Sequence, residues 1–150
     1  PRADVAMTVA GEPPFSSTCA RVMRTRSLVV TLSSAGNGAG NHPASPPELI
    51  EFVLHLCDII LVMTVNPGFG GQSFLPEMLP KIRRLRLTCA ERDLYPIIEV
   101  DGGENKTTAA QAAAAGATAI VAGSAVFGTQ DYALSISAIR ASAEAAACRS

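Results

Sequence analysis

One carboxylate and a set of glycines stand where chemistry is done in parallel α/β proteins. Asp101-Gly102-Gly103 closes the apolar run that begins at Ile97; Gly68-Phe69-Gly70-Gly71 follows the run 59–65, and Gly123-Ser124 closes the run 117–123. In such folds ligands bind at the carboxyl ends of the strands. Glycine there lets backbone N–H groups approach an anion with no Cβ in the way, and a following helix start adds partial positive charge. Phosphate is the natural guest. One loop of this kind reads as a tight strand-to-helix turn; three at the same end of successive strands read as a phosphate-binding rim. Asp101 could cap the turn after it, as Asp before Gly-Gly often does. Its place at a strand end favours a general acid/base or a metal ligand instead. Strand alternation puts Glu99 on the same face, one layer deeper.

The elements that must hold these residues follow a rhythm from Ser27 onward. SLVVTL (27–32) is β-branched, and the continuous apolar run 59–65 suits a strand buried on both faces. IIEVD (97–101) and ATAIVAG (117–123) complete four predicted strands. Between them, Ser45-Pro46-Pro47-Glu48 reads as a capping box before a helix carrying Leu49, Ile50, Val53, Leu54 and Cys57. Pro80 starts a helix with Ile82, Leu85 and Cys89 on one face, and Gly116 can end the alanine-rich helix before it. Asp131 can cap a last helix through Ile136, Ile139 and Ala143. Alternation of this kind predicts an α/β fold with a parallel sheet and right-handed crossovers. A closed eight-unit barrel takes about 250 residues; the 150 residues of this chain accommodate roughly the last four βα units.

Composition narrows the function class. The chain is 48% hydrophobic with a formal net charge of −1, which leaves no electrostatic footprint for nucleic acid or a membrane surface. No apolar run approaches a membrane span of about 20 residues. Cys19, Cys57, Cys89 and Cys148 form no CxxC pair, so reduced thiols in an intracellular protein are expected. His42 in a Gly/Pro loop reads as solvated, and His55 as a structural helix residue. KIRRLR (81–86) reads as the solvated side of a helix, because no aromatic residues interleave it. Met63 could project toward the site from its strand, with core packing the default. Residues 1–26 form an atypical segment without an initiator Met, disordered, transit-like or truncated. A cytoplasmic location is the base expectation, and a plastid location rests on the Arg- and Ser-rich start.

With these residues in place, the chain resembles the C-terminal half of the ribulose-phosphate 3-epimerase family. VMTVNPGFGGQSF (62–74) resembles the sixth strand and phosphate loop, EVDGG (99–103) the seventh strand end, and AGATAIVAGSAVFG (115–128) the eighth strand and its loop. The resemblance runs from about His42 to Arg140, with ASPPELIEFVLHLCD as the helix before the sixth strand. It implies a partial (β/α) barrel of TIM type over 27–150 and C3 epimerisation between D-ribulose 5-phosphate and D-xylulose 5-phosphate. It implies further that Asp101 is both proton donor and ligand of a divalent metal (zinc, iron, manganese or cobalt). Gly68, Phe69, Gly70, Gly71, Asp101, Gly102, Gly103, Gly123 and Ser124 would bind the phosphorylated pentose.

Part of the family pattern is missing. Its early His-x-Asp-x-Met-Asp-Gly stretch has no counterpart in residues 1–41, so of four implied metal ligands this chain supplies Asp101. Two other readings stay open: a half-barrel that binds phosphate or a partner chain without turnover, and another phosphosugar barrel enzyme such as an allulose-phosphate epimerase or a hexulose-phosphate synthase. Open parallel edges also make a homo-oligomer an expectation.

Overall fold

The computed structural model describes residues 6–8, 29–32, 50–66 and 72–148. Nine regular elements run through them in the order β1 (Ala6–Thr8), β2 (Val29–Leu32), β3 (Ile59–Met63), α1 (Leu79–Glu91), β4 (Ile97–Asp101), α2 (Lys106–Ala115), β5 (Ala119–Val121), α3 (Ser124–Phe127) and α4 (Tyr132–Ala147). The strands form one parallel sheet in the order β1-β5-β4-β3-β2. Its β3, β4 and β5 are consecutive neighbours, as crossovers of one hand require. β1 falls within the segment 1–26 and joins the sheet beside β5; three residues are too few for any periodicity to announce them.

Sequence pattern and burial agree along β4. Ile98 and Val100 are wholly buried, whereas Ile97, Glu99 and Asp101 are half-buried. β3 alternates likewise, with Ile60 and Val62 inside. This inner set joins Ile82, Leu85 and Cys89 of α1, Ala109, Ala112 and Ala113 of α2, and Ile139 and Ala143 of α4 in one apolar core. The alanines of α2 let that helix lie close to its neighbours, with Gly116 at φ +111° ending it. Caps set the helix starts. Asn105 accepts from the backbone N–H groups of Thr107 and Thr108 at 2.8 and 3.2 Å, and Thr108 accepts in return from the Asn105 N–H. Asp131 accepts from Leu134 N–H at 2.9 Å.

The helix expected over 49–57 is a correction. Residues 50–57 form successive i→i+3 turns ending in a 3-10 helix at Leu54–Leu56. Ile50 and Leu54 are buried, but Phe52, Val53 and Leu56 are exposed. Tertiary packing supplies most of the stability of a short helix, and this segment buries too narrow a stripe to gain it. His55 is exposed on that turn, and His42 lies outside the described residues.

The two faces of β4 make a direct test. Ile98→Ala is expected to cost about 2–5 kcal/mol, as large-to-small changes in a packed core do, and Ile97→Ala distinctly less. Urea denaturation of both variants checks this; equal losses would mean that the burial pattern is misassigned.

Candidate active site

Register brings the chemistry together. Met63, Asp101 and Val121 stand side by side at the carboxyl ends of β3, β4 and β5, with Leu61, Glu99 and Ala119 in the row beneath. Above them lies a cavity of about 220 Å³, walled by Met63, Val65, Gln72, Asp101, Glu104 and Ser124 together with Gly102, Gly103, Val121 and Gly123. Five residues expected to form the site (Asp101, Gly102, Gly103, Gly123 and Ser124) therefore share one wall. Gly68, Phe69, Gly70 and Gly71 lie outside the described residues. Val65 and Gln72 flank that loop and both line the cavity. Met63, whose default expectation was core packing, is half-buried and faces the cavity.

The paired glycines owe their identity to sterics as well as to openness. Gly102 has φ +125° and Gly103 φ +67°, conformations that L side chains rarely adopt. A Cβ on Gly102 would stand 2.5 Å from Val65 Cγ2, and one on Gly103 would run into the Phe74 backbone nitrogen. The loop that leaves β3 therefore packs directly on the turn that leaves β4.

Thr64 locks this contact. Its side chain is wholly buried. Its N–H donates to the Asp101 carbonyl at 2.8 Å, its carbonyl accepts from Leu75 N–H at 2.8 Å, and its hydroxyl donates to the Gly102 carbonyl at 2.6 Å. The same hydroxyl oxygen lies 3.4 Å from Glu104 Oε1. Thr64 and Glu104 escape a reading by motif. A lone threonine inside the apolar run 59–65 was a usable signal for the first, since a buried hydroxyl must find a partner. Nothing in DGGEN distinguishes Glu104 from a solvated turn residue.

Asp101 and Glu104 line the cavity, Glu99 lies one row beneath, and burial raises each of the three above its ordinary value. It pushes Asp101 up; Glu99 rises by burial and then by the neighbouring Asp101 charge. Glu104 is 3% exposed and is pushed up to about 7, chiefly by burial, with Asp101 adding to the rise and the Thr108 and Thr64 hydroxyls opposing it. The Thr64 opposition is weak, because its single proton is committed to Gly102.

A carboxyl raised by burial holds a proton more readily than a free one. A metal centre is another matter. Among the described residues no three His, Cys, Asp or Glu side chains gather into a set that could hold a metal ion. The described donors thus do not fit the implied divalent metal, and no chemistry is assigned to it. Nor, among those residues, is any helix long and apolar enough to cross a membrane.

The sequence that builds this arrangement is similar to that of known proteins. The profile of the Ribulose-phosphate 3 epimerase family matches residues 19–127. The chain belongs to this family. Over 103 residues it is 57% identical to the Ribulose-phosphate 3-epimerase of Synechocystis sp., an alignment covering 69% of this chain and 45% of that protein. The chloroplastic Ribulose-5-phosphate-3-epimerase of Arabidopsis thaliana is 50% identical over 118 residues, 77% of this chain and 42% of its own length. The Bacillus subtilis Ribulose-phosphate 3-epimerase is 48% identical over 102 residues, 67% and 47% respectively. The chain spans about half the length of the curated relatives it matches. Its five-stranded parallel sheet is a partial barrel of the TIM type to which the family belongs.

Glu104 makes stability depend on pH in a stated direction. Unfolded, the carboxyl ionises near 4.5; folded, it keeps its proton to about 7. Between those values the folded state binds more protons, so stability falls as pH rises and levels off above 7. The full difference is on the order of 3 kcal/mol. Thermal unfolding of wild type is expected at lower temperature at pH 8 than at pH 5, and Glu104→Gln should remove most of that drop, leaving the smaller contributions of Glu99 and Asp101. A variant with the wild-type drop would show that Glu104 is not its source.

Proposed function

We propose that this chain carries the phosphate-gripping half of an enzyme that interconverts D-ribulose 5-phosphate and D-xylulose 5-phosphate by proton transfer at C3. The observation that carries the proposal is Asp101, half-buried at the end of β4 in a cavity walled by Gly102, Gly103, Gly123 and Ser124. The activity for which the relatives are named supports it. Asp101 returns the proton to C3 on one face while a second base takes it from the other, and burial, which raises the Asp101 carboxyl above its ordinary value, helps it carry that proton. The glycine loops, Gly68-Phe69-Gly70-Gly71 among them, bind the phosphate end through backbone N–H groups. Residues 27–150 make up the barrel portion. A divalent metal on Asp101 is what the family resemblance adds, and the proton transfer proposed does not depend on naming its other ligands. The cytoplasm is the proposed location, with plastid import the alternative. Association with a second copy would cover the ends of the sheet at β1 and β2.

A second reading is favoured by the described sheet, five strands against eight in a closed barrel: the chain binds the sugar phosphate without turning it over. Coupled epimerase assays on the purified chain separate the two. Wild type is expected to form xylulose 5-phosphate, and Asp101→Asn to lose activity by at least about a hundredfold. Equal activity in the two would remove Asp101 from the acid/base role. Binding without turnover in wild type would favour the second reading.

A further inference from the structure

Thr64 has one hydroxyl proton and two acceptors for it. It donates to the Gly102 carbonyl at 2.6 Å, and Glu104 Oε1 stands 3.4 Å from the same hydroxyl oxygen. Both side chains are withdrawn from water, Thr64 wholly and Glu104 to 3% exposure. Glu104 Oε2 has no hydrogen-bond partner among the described residues. A neutral carboxyl tolerates this arrangement, because an uncharged group costs far less to bury than a charged one. A carboxylate does not. It needs donors, and an ionised acceptor makes a hydrogen bond about twice as strong as a peptide carbonyl does.

The groups around Glu104 make Thr64 the donor it would draw on. Asp101 of β4 acts on it by charge and opposes its ionisation, and Glu99 lies one row deeper on the same strand. From α2 the Thr108 hydroxyl also stands beside Glu104. That hydroxyl donates to the Gly103 carbonyl at 3.1 Å and accepts from the Asn105 N–H at 2.8 Å as part of the capping box. Thr64 is outside the cap. Withdrawing its proton frees the carbonyl of Gly102, which follows Asp101 directly, has φ +125° and lines the cavity.

We propose that Thr64 is a positioning residue for the turn that carries Asp101, and that ionisation of Glu104 takes the Thr64 hydroxyl off the Gly102 carbonyl. With Glu104 neutral, the turn is clamped to the end of β3 by side chain and backbone together. With Glu104 ionised, the backbone bond from Thr64 N–H to Asp101 stays and the side-chain bond is lost. Glu104 keeps its proton to about 7, so the grip on a sugar phosphate weakens as pH rises through that value. This regulation rests on the proposed function for its ligand, whereas the exchange of hydrogen bonds does not.

Two readouts on the full chain test this in wild type, Glu104→Gln, Thr64→Val and Thr64→Ser. The first is the carbonyl carbon resonance of Gly102, followed by NMR between pH 5 and pH 9 without ligand. In wild type and Thr64→Ser it is expected to move, with a midpoint at about 7, toward the value that Thr64→Val shows throughout. In Glu104→Gln, neutral at every pH, it should stay at the wild-type acid value. The second is the Kd for D-ribulose 5-phosphate by calorimetric titration at pH 6 and pH 8. Dividing by the Glu104→Gln value cancels the ionisation of the ester itself. That ratio is expected to rise about three- to tenfold from pH 6 to pH 8 in wild type, the worth of one neutral hydrogen bond. Thr64→Val, with no hydroxyl to move, should keep it within about twofold. A wild-type resonance that does not titrate, or one that titrates equally in Glu104→Gln, overturns the proposal. So does a Thr64→Val affinity that falls with pH as the wild type's does, because the loss then comes from the Glu104 charge alone. If Thr64→Val does not fold, the resonance of wild type against Glu104→Gln decides. Failure of wild type to bind the ester overturns the proposed function, and the Gly102 resonance still decides the exchange.

Discussion

Three stretches of chain that are distant in sequence are joined at the backbone and hydroxyl of Thr64. The end of β3, the end of β4 and the return of the loop toward α1 meet there through hydrogen bonds to Asp101, Leu75 and Gly102. The site depends on that junction. Asp101 stands where it does because β4 ends level with Met63, and the turn after it holds two glycines in left-handed conformations against Val65 and Phe74. A wholly buried hydrogen-bonding group cannot exchange its partners for water without a large penalty. The loop after β3 and the turn after β4 are therefore coupled at their bases.

The electrostatics of the rim follow from the same packing. β4 turns Glu99 and Asp101 to one face, and the glycine turn brings the buried Glu104 to the cavity that Asp101 lines. Each is shifted toward its neutral form by burial, Glu104 most. Neutral or readily protonated carboxyls suit exchange of a proton on carbon, where a permanently ionised group would hold it poorly. The arrangement also gives the cavity an acidic end.

Much of the scaffold was legible because its signals are local. The period-2 alternation of IIEVD, the Asp131 cap and the Gly116 terminus each depend on a few neighbouring residues, and each is found where the pattern puts it. The helix expected over 49–57 shows the limit. Its apolar spacing was helical, but spacing cannot say whether Phe52, Val53 and Leu56 have anything to pack against, and they are exposed. Met63 shows the converse. Strand position allowed it to project toward the site, but core packing was the default for methionine; the register of β3 on β4 decides for the first and places it beside Asp101 at the cavity.

The sequence by itself determined the family, the parallel α/β character and the residue types of the rim, since all of these are written in contiguous motifs such as VNPGFGG, EVDGG and AGSAVFG. Only the tertiary structure decided that Thr64 is the junction of the site and that Glu104 is buried beside the cavity with an oxygen that has no partner among the described residues. The physical reason is the range of the interactions. A strand or a cap is set by residues a few positions apart, but Thr64 and Glu104 are 40 residues apart and come within 3.4 Å only because two parallel strands end at the same level. Burial, and with it the proton affinity of Glu104, is a property of that meeting and of no single segment.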